Sequence, residues 1–264
     1  MIIKYVSSNR DEFEFYSTHM KASEGNYHEY AWKMLDGGFQ REMAEYELTF
    51  VVRGTESERK SIIDRMTNAF ETDIAQQNPG RFIFGDYSIS GYVTFSSTYA
   101  SEMSNRTERR VKISCTSGFW EKQKGYSFAT EKANAKGTKR YPNRYAYRYA
   151  ARKSEKMIIN DGYAPAQFNI YIYGPAVNPD IYIGENRYSI TVTLMENERL
   201  EIDSKNETIF KILNDGTKVN EFGSRQKGIN FFKGIAPGVN SVMWYGDLTF
   251  DINLKIERSE PEWL

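Results

Sequence analysis

Apolar and polar side chains alternate at every second residue through most of this chain, and one helical pattern interrupts them. Period-two alternation is typical of a half-buried β-strand, whereas a helix on a core repeats its apolar residues every third or fourth position. The alternating segments are residues 47–53, 81–84, 92–95, 111–115, 168–173, 180–183, 188–194, 199–203, 209–213, 241–245 and 248–256. Tyrosine and phenylalanine, which suit pleated surfaces, number 19 and 16. The sequence therefore predicts a mainly β protein with one α-helix.

The helical pattern covers residues of about 55–77. Thr55 and Glu58 have the spacing of a capping box, in which each side chain accepts a hydrogen bond from the other residue's backbone N–H. The apolar side chains that share one face are Ile62, Ile63, Met66, Phe70 and Ile74. Pro79 and Gly80 then end the helix, because proline lacks the N–H donor and glycine adopts turn geometry freely. We expect this face to lie across an apolar sheet.

Changes in composition divide the chain into three parts. Residues 1–125, with strands and the helix, predict an α+β domain. Residues 157–264, with short, evenly spaced strands and turn sequences, predict a β-sandwich of jelly-roll type. Between them, residues 126–156 are rich in lysine, arginine and tyrosine and predict an extended basic arm or linker.

The formal net charge is zero, from 35 basic and 35 acidic side chains, but the charges are segregated. Acidic groups exceed basic ones by about five in residues 1–80 and again in 157–264, and basic groups are in excess by about ten in 81–156. This distribution argues against a uniformly basic nucleic-acid binder. It suits a subunit that meets other copies of itself.

The basic arm interleaves arginine with tyrosine, the residue types that are enriched at interface hot spots. The residues predicted to contribute to an assembly interface are Arg140, Tyr141, Arg144, Tyr145, Tyr147, Arg148 and Tyr149. The same composition can stack bases and neutralise phosphates of single-stranded nucleic acid. The acidic flanking domains favour the assembly interpretation.

Residues that support catalysis or metal binding are scarce. His19 and His28 are the only histidines, and no periodic pattern brings them together, so we expect both in loops and no zinc site. Cys115 is the only cysteine and alternates in phase with Val111 and Ile113, which predicts a buried, unreactive thiol. No nucleophile, metal-ligand set or cofactor motif stands out, so the prediction is a protein that is not an enzyme and holds no cofactor.

Four carboxylates cluster around one predicted hairpin, namely Glu196, Glu198, Glu201 and Asp203. A glycosidase pair needs two carboxyls in a cleft, one of them kept protonated by burial. Because the surrounding segment is very polar, we interpret the cluster as a solvated hairpin tip. The sequence also has no apolar run long enough for a signal peptide or a membrane span, and the expectation is a protein that is made in a reducing cytosol.

Several short motifs, whose order and spacing along the chain are fairly specific, resemble one protein family. They are residues 47–53, 55–77, 78–87 (NPGRFIFGDY), 115–120, 141–149, 159–165 (INDGYAP), 178–179, 200–204 (LEIDS), 236–240 (APGVN) and 261–263 (PEW). Together they make the chain similar to the distal tail proteins of long-tailed phages, the siphophage tail component family.

The resemblance implies a structural protein that forms a hexameric ring at the tip of the tail tube. Its first domain would be of tail-tube type, and its second would resemble galectins or carbohydrate-binding modules. The implied partners are other copies of the chain, the tail tube protein, the tape-measure protein, and tail-tip, baseplate or receptor-binding proteins. DNA would pass through the lumen without specific binding. The implied location is the tail tip of a virion from a phage or prophage, assembled in the bacterial cytoplasm.

A β-sandwich of this kind is also compatible with a carbohydrate-binding adhesion module. Such a module needs exposed aromatic side chains on one sheet face, and the candidates are Tyr171, Tyr173, Trp244 and Tyr245. The same aromatic residues would otherwise belong to the sandwich core or its flanks.

Overall fold

The polypeptide forms two compact units whose boundaries lie inside strands. In a computed structural model that describes residues 3–100, 105–130 and 153–263, unit 1 comprises Met1–Lys122 with Glu257–Leu264, and unit 2 comprises Gln123–Ile256. The chain thus leaves unit 1 once and returns to it at its last residues. The sequence-based division at 125 and 157 differs in that it assigned the returning segment to the second domain.

Unit 1 contains the helix and the first strands of the chain. Its elements are β1 Ile3–Val6, β2 Glu12–Glu14, β3 Met20–Gly25, β4 Trp32–Leu35, β5 Gly38–Arg41, β6 Glu45–Arg53, α1 Glu56–Ala75, β7 Gly80–Phe84, β8 Tyr87–Ala100, β9 Arg106–Cys115 and the first residues of β10 Trp120–Ala129. All the strand pairs with known register among them are antiparallel. They fall into the orders β2-β1-β7-β8 and β8-β9-β6-β3, with β4 and β5 as a separate hairpin.

The long strand β8 belongs to both of those strand orders. Its first residues pair with β7, from Tyr87 to Gly91, and the rest of the strand pairs with β9. A glycine is needed where the partner changes, because a Cβ on Gly91 would lie 2.9 Å from the carbonyl oxygen of Ser114. The core of unit 1 is largely aromatic. Phe15 packs on Phe50, and Tyr46 packs on Trp120.

Helix α1 begins as the sequence predicts. The Glu58 carboxylate accepts from the Thr55 N–H at 2.8 Å, and the Glu58 N–H donates to the Thr55 hydroxyl, which confirms the capping box. Met66 and Phe70 are buried, as the apolar face requires, but Ile74 is 47% exposed. The last turn instead buries Asp73, because that carboxylate accepts hydrogen bonds from the Tyr5 hydroxyl at 2.6 Å and from Ser8.

Unit 2 is built from strands and a single short 3₁₀ helix, within the residues that the structure describes. Its elements are the rest of β10, β11 Lys153–Asn160, β12 Gln167–Tyr173, β13 Ala176–Val177, β14 Asp180–Ile183, β15 Asn186–Ser189, β16 Thr193–Leu194, β17 Arg199–Asp203, β18 Thr208–Ile212, β19 Lys218–Asn220, the 3₁₀ turn Phe222–Ser224, β20 Gly238–Tyr245 and β21 Thr249–Arg258.

Two sheets enclose the core of unit 2. One has the order β19-β18-β17-β12-β21-β10 and the other β11-β20-β14-β15, with β13 and β16 as a small extra pair. Alternate residues of the strands point inward, as in Phe168, Ile170 and Ile172 of β12, and all three are at most 1% exposed. The predicted mainly β fold with one α-helix and a β-sandwich is therefore confirmed.

The strand predicted over residues 188–194 is divided in the structure. Only Asn186–Ser189 and Thr193–Leu194 have ladder pairing, and the residues between them make single contacts, such as the donation from Asn178 N–H to the Val192 carbonyl. The alternating apolar residues are nevertheless buried, so burial continues where the ladder stops. Among the described residues, the sole α-helix lacks the hydropathy that a bilayer-spanning segment needs.

Candidate assembly surfaces

The seven arm residues predicted as an interface lie outside the described residues: Arg140, Tyr141, Arg144, Tyr145, Tyr147, Arg148 and Tyr149. The structure does describe both ends of that segment. The Thr130 hydroxyl donates to the Gly246 carbonyl at 2.9 Å and accepts from the Trp244 indole N–H at 3.0 Å. At the other end, Lys153 begins β11 and is paired with Tyr245 of β20. Both ends are therefore anchored beside the turn between β20 and β21.

The β4–β5 hairpin carries several strongly exposed apolar side chains. Met34 and Phe39 are direct cross-strand partners and are 76% and 68% exposed. Met43, just after the hairpin, is similarly exposed, and Trp32 lies on the same face as Met34 because it is two residues away. Gly37 in the turn has a φ of +118°, which favours glycine.

Contacts of Trp32 and Arg41 hold this hairpin to the rest of unit 1. Trp32 packs edge-on against Phe119 at 5.8 Å between ring centroids, and the Arg41 guanidinium donates to the Ser259 carbonyl at 3.4 Å. A two-stranded hairpin is only marginally stable by itself, and clustered exposed apolar residues mark interaction sites. The hairpin is therefore a candidate docking element.

A second unusual surface is the distal part of β8, residues 94–99, which we call the β8 overhang. Every residue in it is exposed on both faces of the strand, with Phe95 at 50% and Tyr99 at 74%. Its neighbour β9 behaves differently, because Thr107 and Arg109 of β9 are buried beneath the helix. The overhang is thus exposed although buried residues of β9 that pair with it, such as Arg109, are covered by α1.

The buried Arg109 fixes the overhang relative to the helix. Its guanidinium donates to the Ser96 hydroxyl at 2.8 Å, to the Ile63 carbonyl at 3.0 Å and to the Thr67 hydroxyl at 2.9 Å. Burial lowers the pKa of this arginine, although a guanidinium stays charged at any ordinary pH. The three hydrogen bonds join β8, β9 and α1, so the overhang has a defined position.

Several charged side chains around the two surfaces are paired within the chain. Residues 29–45, which include the hairpin, have four acidic and two basic side chains, and 105–112 of β9, beside the overhang, have four basic and one acidic. Glu45 of the first segment pairs with Lys112 of the second at 2.7 Å, Glu47 pairs with Arg110 and Lys33 pairs with Glu42. The hydrogen bond from Lys112 lowers the pKa of Glu45.

The aromatic residues proposed for carbohydrate binding do not share one face. Trp244 is fully buried in the core of unit 2 and cannot meet a ligand. Tyr245 lies on the outer face of β20, whereas Tyr171 and Tyr173 belong to β12 of the other sheet. The Tyr173 hydroxyl donates to Asp251 at 2.8 Å. The expected platform of four aromatic rings is therefore not formed.

The outer face of β11 and β20 is the largely apolar surface of unit 2. Met157 and Val239 are 68% and 65% exposed, and Ile159 and Tyr245 lie on the same face. The edge of β11 is partly satisfied within the unit, because the Tyr126 hydroxyl donates to the Ile159 carbonyl and accepts from its N–H, both at 3.0 Å. This surface is flat, in contrast to the projecting hairpin of unit 1.

The residues that were candidates for catalysis or metal binding lie in structural positions. Cys115 is buried, and burial raises the pKa of its thiol to about 12. His19 is exposed, and His28 stacks on Trp263 at 3.9 Å between ring centroids. Among the described residues, no cluster of three histidine, cysteine, aspartate or glutamate side chains is placed to hold a metal ion.

The carboxylate hairpin is less solvated than the sequence indicates. Glu198 is only 9% exposed, lies 2.8 Å from the Lys211 ammonium and accepts from the Met195 N–H at 2.7 Å. These contacts lower the pKa of Glu198, the ammonium most strongly. The interpretation as a solvated hairpin tip was wrong for Glu198, because its carboxylate is held inside the hairpin by these contacts.

Comparisons with known proteins show which solved structures share this fold. No protein-family profile matches the sequence, and no curated protein matches it. Among solved structures, the SPP1 Dit (gp 19.1) protein is similar over 98% of this chain and 100% of its own, with a TM-score of 0.59 and 11% identity. The chain shares the fold of a phage hub protein. The SPP1 protein is described as a paradigm of the hub adsorption apparatus of phages that infect Gram-positive bacteria.

Two baseplate structures show the same fold. A chain of the phage P2 baseplate in its calcium-activated conformation is similar over 99% of this chain and 100% of its own, with a TM-score of 0.58 and 11% identity. The strontium form of the phage p2 baseplate gives a TM-score of 0.50 over 96% of this chain and 97% of its own, again at 11% identity. The fold expected from the resemblance to distal tail proteins is confirmed by these matches.

Proposed function

We propose that this chain is a structural distal tail protein of a phage or prophage and forms a hexameric ring at the tip of the tail. Fold similarity to the SPP1 Dit protein over nearly the whole of both chains supports the proposal, since both units are matched and not one alone. The role is geometric, so no catalytic group or cofactor is required.

The main support for a ring is the presence of two unlike surfaces on unit 1. A cyclic ring needs heterologous contacts, in which one patch of a subunit meets a different patch of the next. The hairpin presents Met34 and Phe39 on a two-stranded element, and the β8 overhang presents Phe95 and Tyr99 on a strand with an open edge. A symmetric dimer would need a single self-complementary patch instead.

The ring would join the tail tube to the baseplate or tail tip. Its partners would be the tail tube protein, the tape-measure protein and the tail-tip or receptor-binding proteins, and DNA would pass through its lumen. A lumen of mixed or negative charge would let the DNA move, since lysine and arginine bind phosphates tightly. The location would be the virion tail tip, after assembly in the host cytoplasm.

Light scattering and negative-stain electron microscopy on the purified protein test the proposal. We expect hexamers or stacks of hexamers, visible as rings with a central hole. A strict monomer at all micromolar concentrations, also in the presence of the neighbouring tail proteins, would contradict the ring.

The basic arm supplies a second test. Replacement of Arg140, Arg144 and Arg148 by serine should weaken ring assembly or docking of a tail partner, because it removes three charges that suit acidic neighbours. If the variant assembled normally but lost binding to single-stranded DNA that the parent protein showed, the nucleic-acid interpretation of the arm would replace this one.

A further inference from the structure

We infer that the β4–β5 hairpin of one copy packs on the β8 overhang of the next copy. This inference rests on the proposed ring and names the two surfaces that close it. Both surfaces belong to unit 1, and the partner is a second copy of the chain.

The side chains of the two surfaces are of matching kinds. The hairpin presents Met34 and Phe39 side by side, and the overhang presents Phe95 and Tyr99. Thioether and aromatic side chains make favourable contacts, and methionine adapts to irregular gaps. The apolar side chains of both surfaces are unusually exposed to solvent, and contact between the two surfaces would cover them.

The open edge of the β8 overhang also needs a cover. Residues 94–99 lie beside β9 on one side, and among the described residues no strand pairs with their other edge. A long, exposed edge strand is a template for pairing with another chain, and natural proteins cover it or charge it. The overhang has no charged residue between Thr94 and Tyr99, so cover by a neighbour is the remaining solution.

Symmetry distinguishes this arrangement from contact between like surfaces. Hairpin against hairpin, or overhang against overhang, would be a self-complementary contact that closes a dimer. Hairpin against overhang joins unlike patches and can repeat from copy to copy around a ring.

Cross-linking between introduced cysteines tests the contact directly. The native Cys115 is buried and its thiol is protonated at neutral pH, so a short bis-maleimide reagent should leave the parent protein unlinked. The variant with both Met34→Cys and Tyr99→Cys should give a ladder of linked species up to the ring. Each single-cysteine variant should give no ladder.

A matched control carries Met34→Cys together with Val239→Cys, because Val239 of unit 2 is 65% exposed and is not part of the inferred contact. It should give no ladder. Dimers from Met34→Cys alone would show hairpin against hairpin and overturn the inference. Rings by electron microscopy without a ladder from the Met34/Tyr99 pair would also overturn it and leave the proposed function intact, whereas absence of rings would count against the function itself.

A second variant set measures the affinity of the contact. Met34→Ser with Phe39→Ser should raise the dissociation constant of the ring by at least about tenfold, because apolar residues at the centre of an interface dominate its energy. Met157→Ser with Val239→Ser, on the flat face of unit 2, should leave it unchanged. Equal effects of the two pairs, or no effect of the first, would contradict the inferred contact.

Discussion

The two units place their exposed apolar residues in different ways. Unit 1 puts them on projecting elements, with Met34 and Phe39 on a hairpin and Tyr99 on the β8 overhang. Unit 2 puts them on a flat sheet face, with Met157 and Val239 on neighbouring strands. A projecting element can enter a neighbouring subunit, whereas a flat face of a sandwich can stay in water at modest cost. The comparison favours unit 1 as the location of the proposed ring contacts.

The interiors differ as well. Unit 1 buries two charged side chains, Asp73 and Arg109, and each binds groups from other elements of the unit. The interior of unit 2 is mostly aliphatic, and its buried polar residues, such as Asn160, are largely neutral. Buried charged groups are costly unless fully paired. The helix position in unit 1 is therefore specified by polar contacts as well as by packing.

The largest expected effect comes from the fully buried tryptophan of each unit. Trp120 donates to the Tyr46 hydroxyl and Trp244 to the Thr130 hydroxyl. Replacement of either by alanine should lower the free energy of unfolding by about 3–5 kcal/mol, through the cavity and the lost contacts. Hydrogen exchange followed by mass spectrometry should show the loss of protection in the unit that carries the substitution. Trp120→Ala should also abolish the proposed rings. Equal loss of protection in both units would contradict the expectation that each substitution destabilises only its own unit.

A second effect concerns the buried carboxylate of α1. Asp73→Ala leaves the Tyr5 and Ser8 donors without an acceptor, and we expect a loss of about 3 kcal/mol in urea unfolding. Ile74→Ala, one residue away and half exposed, serves as the control and should cost about 1 kcal/mol or less. Equal losses of unfolding free energy in the two variants would mean that the hydrogen bonds of Asp73 add no stability beyond that of packing.

Alkaline pH should destabilise unit 1 more than unit 2. Burial raises the pKa of Tyr46 to about 12 and also raises those of Tyr5 and Tyr27, all in unit 1, and burial raises that of Tyr188 in unit 2 to about 12. Between pH 10 and 12 the unfolded chain ionises these tyrosines and the folded chain does not. The free energy of unfolding therefore falls as the pH rises, by about 1.4 kcal/mol per pH unit for each such group.

Hydrogen exchange at a series of pH values, corrected for the intrinsic rate, distinguishes the two units. Protection in unit 1 should decline first above pH 10. Replacement of Tyr46 by phenylalanine should reduce that decline, and replacement of Tyr188 by phenylalanine should leave unit 1 unchanged. A simultaneous decline in both units would contradict the expectation.

The smallest effect concerns exposed aromatic pairs. Trp263 stacks on His28 in unit 1, and Tyr245 meets Tyr182 edge-on in unit 2. Trp263→Ala should cost about 1 kcal/mol, within the range of such pairs, and Tyr245→Ala about half of that because its rings are 6.0 Å apart. Thermal unfolding resolves the difference, and a larger cost for Tyr245 would reverse the order.

Prediction from sequence succeeded where burial and local chemistry agree. The capping box at Thr55 and the burial of Cys115 follow from short-range pattern, and both are confirmed. The burial of Asp73 was missed because its partners, Tyr5 and Ser8, are more than sixty residues away. Pattern along one helix cannot show a partner so distant in sequence.

The candidate site was harder to predict than the fold. The sequence pointed to the arm around Arg144 and gave no sign that the segment around Gly37 and Gly38 is exposed. In the structure those glycines form the tip of the exposed hairpin. Periodicity reports which residues face a core, and the hairpin has no core face, so no alternation identifies it. Its composition, with Trp32 and Met34 close together, was the available signal.

The return of the chain to unit 1 has a consequence for biosynthesis. Pro261 is buried in unit 1, and Glu262 accepts a hydrogen bond from the Tyr87 hydroxyl at 3.0 Å. A ribosome makes these residues only after the whole of unit 2, so a nascent chain holds an unfinished unit 1 throughout that time. Premature termination would yield a subunit that lacks these contacts. Synthesis order thereby delays completion of unit 1 until the preceding sandwich has been made.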